Sequence, residues 1–393
     1  MTYNLRLSKI KGLMLLTIGL GSISCFAQIP TTNAAKSKYV FTIEKDNEAT
    51  GVKNQFHSGT CWCFSTQSFL ESELMRMGKG PIDLSEMFVV HNLYLLKAQH
   101  YIRYEGHTTF GEGGEPHDVI TSLREFGIVP KSAYLGIEYK DSMPRLADLD
   151  ETLKSMLDVM LKRPEGRLDP NWFAAYTGAL DGFMGATPAK FNYNGKSYDP
   201  KSFAAYLGLN PDDYVEVTSF THHPFYQKFV LEVSDNWANA EAYNVPLDDL
   251  HAIADNALQN GYTIEWGADV SEKYFSYKNG IALVPKMDMG MASAAPQADS
   301  VFLNPVEQKT ITQEMRQEAF DNLSTTDDHG MQITGLSKDQ NGDEFYIVKN
   351  SWGTTNYCKG YFYVSAPYFL YKTTSIMVNK NAIPALLRKK LGI

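Results

Sequence analysis

Cysteine is scarce in this chain. Only four of its 393 residues are cysteine, too few for a disulfide scaffold. Basic charge is also short. Lys and Arg number 36 against 45 Asp and Glu, a net charge of −9. Gripping a phosphate backbone needs the opposite balance, so nucleic acid is not an expected partner. No apolar run reaches bilayer length: residues 12–21 make about ten where about twenty are needed. A mature chain without a transmembrane segment is expected. Low-complexity tracts and internal repeats are missing too, which sets aside solenoids and long disordered regions.

What remains suits a globular protein. Hydrophobic residues make up 44% and aromatics 12%, and the length allows one large domain or two medium ones. The N-terminus reads as a secretory signal peptide. Arg6, Lys9 and Lys11 precede the apolar run, and Cys25 and Ala27 are small residues at −3 and −1 of a cut after Ala27. Export to the periplasm or the exterior follows. A lipid anchor on Cys25 fits less well, because Ser22 stands where a larger aliphatic is usual. Removing residues 1–27 takes the net charge from −9 to −12. Cys61, Cys63 and Cys358 remain. An odd number leaves a free thiol, assigned to Cys61. Cys63 and Cys358 either pair or, the favoured reading, are small buried hydrophobes.

Periodicity divides the chain. Residues 28–50 are polar and read as an extended N-terminal extension. From Ser58, an N-cap candidate, Trp62, Phe69, Leu70 and Leu74 recur at helical spacing. Ser85 opens a second helix in a structural role. Pro116 suits the first turn of a third, which Gly127 ends. Residues 141–212 read as a helical insertion. Its stripe Leu149, Leu153, Met156, Leu157, Met160 and Leu161 is assigned to packing or an oligomer contact. Further helices are read at 171–183, 200–207 and 247–259. Strand patterns occupy 214–218, 229–233, 263–270, 345–348, 360–364 and 376–378. Helices first and strands second make an α+β class. The division is a helical lobe at 51–140, the insertion at 141–212, a β-rich lobe at 213–384 and a tail at 385–393.

Three separated pieces carry chemistry. Gln55 to Ser65 reads QFHSGTCWCFS; Asp328-His329-Gly330 and Asn350-Ser351-Trp352-Gly353 lie far downstream. A cysteine nucleophile must be a thiolate, and a helix N-terminus and a nearby imidazolium both favour one. Cys61 lies in the first turn of its predicted helix, and His329 can supply the imidazole from the other lobe. Gln55, with the Cys61 N–H, can donate to an oxyanion. Asn350 can hold the far nitrogen of His329, and Trp352 can shield that bond. Blander assignments go to the neighbours. Cys63 faces away, His57 belongs to a surface loop, and Asp327 and Asp328 either tune the local potential or, the favoured reading, cap a turn. His222-His223 lacks a third metal ligand, and Arg388-Lys389-Lys390 is a solvated end.

These pieces resemble a papain-like cysteine peptidase, within it the bleomycin hydrolase and aminopeptidase C branch. Residues 127–131 (GIVPK), 266–270 (WGADV) and 378–380 (VNK) support the branch, and the similarity runs from about Gln55 to Pro384. The resemblance implies a two-lobed papain-like fold, peptide substrates and no metal or organic cofactor. It implies Cys61 as nucleophile, His329 as base, Asn350 as orienting residue and Gln55 as oxyanion donor. Gly113, Gly114, Trp352 and Asp328 are the expected substrate-side residues. Hexameric assembly is implied as well. In this branch a C-terminal arm places its carboxylate in the cleft and holds a free amine. Here nine residues follow Pro384, so an endopeptidase with an open cleft is the alternative to an aminopeptidase. Readings of another class are a non-hydrolytic acyl transferase and a peptide-binding scaffold. The short 28–50 segment predicts no activation cleavage.

Overall fold

A computed structural model describes residues 29–136, 146–164, 166–287 and 300–393. The expected signal segment lies outside them. Strand β1 (Thr42–Asp46) comes first, then helices α1 (Cys61–Arg76), α2 (Glu86–Arg103) and α3 (Pro116–Glu125). Helices α4 (Ala147–Leu161) and α5 (Trp172–Met184), hairpin β2 (Phe191–Tyr193) and β3 (Lys196–Tyr198), and α6 (Pro200–Leu207) follow. The second half opens with β4 (Tyr214–Thr218), β5 (Lys228–Val230) and β6 (Glu241–Asn244), then α7 (Leu247–Gln259) and β7 (Ile264–Ala268). Next come β8 (Phe275–Ser276), β9 (Ile281–Ala282), α8 (Ser300–Leu303) and α9 (Gln313–Asp321). The chain ends with β10 (His329–Lys338), β11 (Glu344–Lys349), β12 (Tyr361–Ser365), α10 (Ala366–Lys372), β13 (Thr373–Asn379) and α11 (Ala385–Leu391). Among the described residues, no helix is long and apolar enough to cross a membrane.

Apart from the separate β2–β3 hairpin, the strands form one sheet in the order β5-β6-β4-β13-β7-β10-β11-β12-β9-β8, with β1 on β10. Antiparallel register sets His329 opposite Ala268 of β7. One hydrophobic core joins α1–α3 to the insertion through Leu149, Leu153, Leu157, Tyr176 and Phe203. A second lies around α7 and the central strands. The arrangement is α+β, with a helical half and a sheet-rich half.

Helix α1 sits between the cores and is buried from Trp62 to Met75, as a helix at the centre of a large protein must be. Its apolar residues face the helical core. A polar stripe faces the sheet: Ser65 Oγ donates to Glu265 Oε1 (2.8 Å), Ser68 Oγ to Gln332 Oε1 (2.6 Å), and Gln332 Nε2 to Ser72 Oγ (2.8 Å). Such bonds let two lobes meet through polar groups without stranding them.

The N-terminal extension is held against the fold: Tyr39 and Phe41 are buried, Phe41 stacks on Tyr363 at 3.7 Å, and β1 pairs with β10. Edge pairing needs backbone rather than apolar side chains, so TIEKD carries no strand signal beyond its alternation. Ser58 does not cap α1. Thr60 holds the N-cap position, while Ser58 Oγ donates to the Gln55 carbonyl at 2.8 Å and ties the preceding turn.

Candidate active site

Cys61 opens α1 at the seam between the lobes. Its approach is pinned from both sides. The Gly59 N–H donates to the Glu112 carboxylate, and Trp62 Nε1 donates to the Glu112 carbonyl at 2.9 Å. The chain at 111–113 is fixed in turn by Lys97, which donates to the carbonyls of Gly111 (2.8 Å) and Gly113. Gly114 has no room for a side chain: a Cβ there would meet Asp118 Oδ2 at 2.7 Å and Trp62 Cε2 at 2.9 Å.

His329 starts β10 and lines one recess with Cys61. Its Nε2 lies 2.7 Å from Asn350 Oδ1, which also accepts the Ser351 N–H at 2.7 Å. An atom that accepts a backbone N–H is an oxygen, so Nε2 carries the hydrogen and Nδ1 keeps its lone pair. Trp352 stacks on the imidazole with ring centres 4.4 Å apart, covering this bond. Gln55 is buried against the same segment. Its Nε2 donates to the Ser58 carbonyl at 2.8 Å, and its Oε1 accepts from Ser351 Oγ at 2.6 Å. One amide hydrogen is thus left over.

Burial pushes the Cys61 thiol up to about 12, helped by Asp327 and Asp235, while the N–H groups of Gly330 and Trp62 pull it back. Burial pushes His329 down to about 4, against Asn350 and Asp328. Each group alone is therefore neutral. A proton moved from sulfur to imidazole creates two charges that stabilise one another, and the helix N-terminus adds to the thiolate's share.

The four predicted catalytic residues converge, and so do Gly114, Trp352 and Asp328. Asp328 holds a turn, accepting from the N–H groups of Val270 (3.1 Å) and Ser271 (3.0 Å). Asp327 lines the recess beside it. Cys63 points away, 3.4 Å from the Glu86 carbonyl, and Cys358 lies in a separate core, so both are free and buried. His57 is exposed. Glu232 supplies the third donor beside His222 and His223 that the sequence does not signal. Among the described residues, the groups able to hold a metal include no residue of the recess. Sequence reasoning missed Ser351, although it stands inside the Asn350 motif. It also missed Glu112, Glu115, Asp235 and Glu265, which share no motif at all.

The profile of the Peptidase C1-like family matches residues 189–392, just over half of the chain. Aminopeptidase C of Streptococcus thermophilus is 23% identical over 401 residues, covering 89% of this chain and 84% of that protein. Cysteine proteinase 1, mitochondrial, of Saccharomyces cerevisiae is 22% identical over 398 residues, covering 89% and 79%. PepW of Lactobacillus rhamnosis HN001, a solved structure, superposes with a TM-score of 0.69 at 20% identity, over 89% of this chain and 84% of that one.

Proposed function

The chain belongs to the peptidase C1-like family and is a cysteine peptidase, and from that premise we propose that it acts as an aminopeptidase through Cys61. The observation that carries the reading is the line Cys61, His329, Asn350 across the lobe seam, with Asn350 fixing the imidazole at 2.7 Å. The Cys61 proton passes to His329 Nδ1, and the thiolate attacks the peptide carbonyl. The carbonyl electrons move onto oxygen, which the spare Gln55 hydrogen and the Cys61 N–H receive. Collapse expels the amine, protonated by His329. Water, activated by the same ring, then hydrolyses the thioester and restores the thiol.

Relatives named Aminopeptidase C and Aminopeptidase E support the exopeptidase mode. One observation favours the endopeptidase reading. Residues 385–391 form α11, whose Leu387 and Leu391 are buried in the β-lobe core, and none of them lines the recess at Cys61. The test compares fluorogenic peptides bearing a free α-amine with the same peptides N-acetylated, in reductant, with Cys61→Ala as the blank. Cleavage of the free series alone supports the aminopeptidase; equal cleavage of both sinks it. Export, hexamer formation and substrate-side roles for Gly113 and Trp352 belong to the same proposal. A signal-peptide fusion, sedimentation of the purified protein and alanine variants address them in turn.

A further inference from the structure

The recess beside Cys61 is small, with about 20 Å³ open to a water-sized group. Its walls are acidic. Glu115 comes from the start of α3, Asp235 from the loop before β6, Glu265 from β7, and Asp327 from the turn before β10. Glu115 and Glu265 are almost fully buried; Glu265 Oε2 has no hydrogen-bond donor, and Glu115 shares a hydrogen bond with the Asp327 carboxyl. An unpartnered buried carboxylate oxygen is costly, and Glu265 carries one in the lining of this recess.

Three glycines, Gly330, Gly267 and Gly114, stand among the lining residues, beside Trp62, Pro116 and His329. A Cβ on Gly330 would meet Ser65 Oγ at 2.7 Å and Glu265 Oε1 at 3.1 Å, so only glycine leaves the floor open. Asp235 is held in place. Asn236 Nδ2 clamps its loop to the carbonyls of Leu231 (2.8 Å) and Ala240 (2.9 Å), and Trp237 Nε1 bonds Asp118 Oδ2 at 2.9 Å. The carboxylate rests on Gly113, where a Cβ would lie 2.1 Å from Oδ2. An extended peptide running past Gly114 meets it there.

Metal is the poorer occupant. Among the described residues, the clusters whose donor atoms lie within 4.8 Å of one another leave these carboxylates out. A primary ammonium carries three hydrogens on a flexible chain and can reach spread acceptors. Lys97, whose charge reaches Asp235, gives its hydrogens to the Gly111 and Gly113 carbonyls.

We propose that this recess receives the primary ammonium of a peptide substrate, held by Asp235, Asp327 and Glu115 with Glu265 beneath, and so selects which peptides reach Cys61. The ammonium is either the α-amine or a lysine side chain. The proposal rests on the peptidase reading above. Burial raises all four carboxyl groups above the usual range, which an incoming cation reverses.

The test uses the full chain carrying Cys61→Ala, which binds without turnover. Calorimetry is run with trialanine amide, its N-acetylated form, and the N-acetylated form with lysine as first residue. The expected result is that one amine-bearing probe binds roughly 10- to 100-fold tighter than the acetylated trialanine, the range for one hydrogen bond to a charged group. Adding Asp235→Asn or Asp327→Asn, both in partly exposed positions, removes most of that preference. Preference for the free α-amine supports the recess with the N-terminus as its ligand. Preference for the lysyl probe supports it with a side chain. Equal binding of all three probes, or a preference untouched by both substitutions, overturns the proposal. The aminopeptidase reading fails separately, by wild-type cleavage of acetylated and free peptides alike.

Discussion

Ser351 holds Gln55 twice. The Gln55 N–H donates to the Ser351 carbonyl at 2.8 Å, and Ser351 Oγ donates to Gln55 Oε1 at 2.6 Å. The residue after Asn350 thereby sets which way the Gln55 amide faces. Without that hydroxyl the amide can turn its oxygen toward the developing oxyanion. Gln55→Ala is expected to lower kcat by about 10²–10³-fold, the usual loss of an oxyanion donor. Ser351→Ala should cost roughly tenfold, in kcat rather than KM. In the double variant the Ser351 effect should vanish. Steady-state kinetics on all three proteins checks this; full additivity would separate the two residues.

The acid recess predicts a pH limb. Asp327 is pushed up to about 6 by burial, with Asp235, Asp328 and Glu216 adding to it. Glu115, Glu265 and His117 also face this group. Ammonium binding needs the ionised acid, so kcat/KM for free-amine peptides should rise through about pH 6. It should fall again as the substrate amine loses its proton near pH 8. Asp327→Asn should abolish the lower limb through KM. An unchanged profile in the variant would count against the assignment.

Stability should respond in the opposite sense. An acid moved from 3.8 to about 6 on folding keeps a proton that the unfolded chain has lost. Its contribution is therefore favourable near pH 4, falls as pH rises to 6, and stays lost above. His329, pushed from 6.5 down to about 4, gives a slope of opposite sign over an overlapping window. The quantity to read is the difference between Asp327→Asn and wild type. Melting curves should coincide near pH 4, with the variant more stable by roughly 1–2 kcal/mol at pH 7 after allowing for partial exposure.

Gly113→Ala should imitate Asp235→Asn. The added Cβ would displace the Asp235 carboxylate, and a loop side chain can yield where backbone cannot. A severalfold rise in KM for free-amine peptides is expected, with little change for acetylated ones. Parallel losses for both series would point to damage at the substrate-pairing edge instead.

Lys53 fastens α1 to α2. Its ammonium contacts Glu71 at 2.6 Å, Asp83 at 2.6 Å and Glu86, and Glu71 and Glu86 are buried. Lys53→Met strands two buried carboxylates and should destabilise the fold by about 3–5 kcal/mol. Urea unfolding midpoints measure it. A shift within a few tenths of a kcal/mol would show that Lys131, 3.3 Å from Glu86, suffices.

The catalytic line was legible because its chemistry sits in short contiguous motifs. Helices 200–207 and 247–259 were legible from period, and the structure returns them as α6 and α7. The recess was not. Glu115, Asp235, Glu265 and Asp327 come from four segments, and each looks like an ordinary polar residue in a turn, loop or strand. Glu265 in particular alternates within IEWGA as though it faced water. Only the register of β7 on β10, with Glu265 opposite Gln332, turns it inward. Ser65, Ser68 and Ser72 hid similarly, because a buried polar stripe has no hydrophobic period to betray it.

The N-terminal strand has a consequence in time. Val40 bonds Gln340, 300 residues further on, and β1 completes its pairing on the strand that begins with His329. Long-range closures of this kind form late and slowly. A ribosome therefore releases the nucleophile helix long before any base can reach it. The chain spends most of its synthesis as an unarmed polypeptide, because His329 and Asn350 both lie in its last quarter.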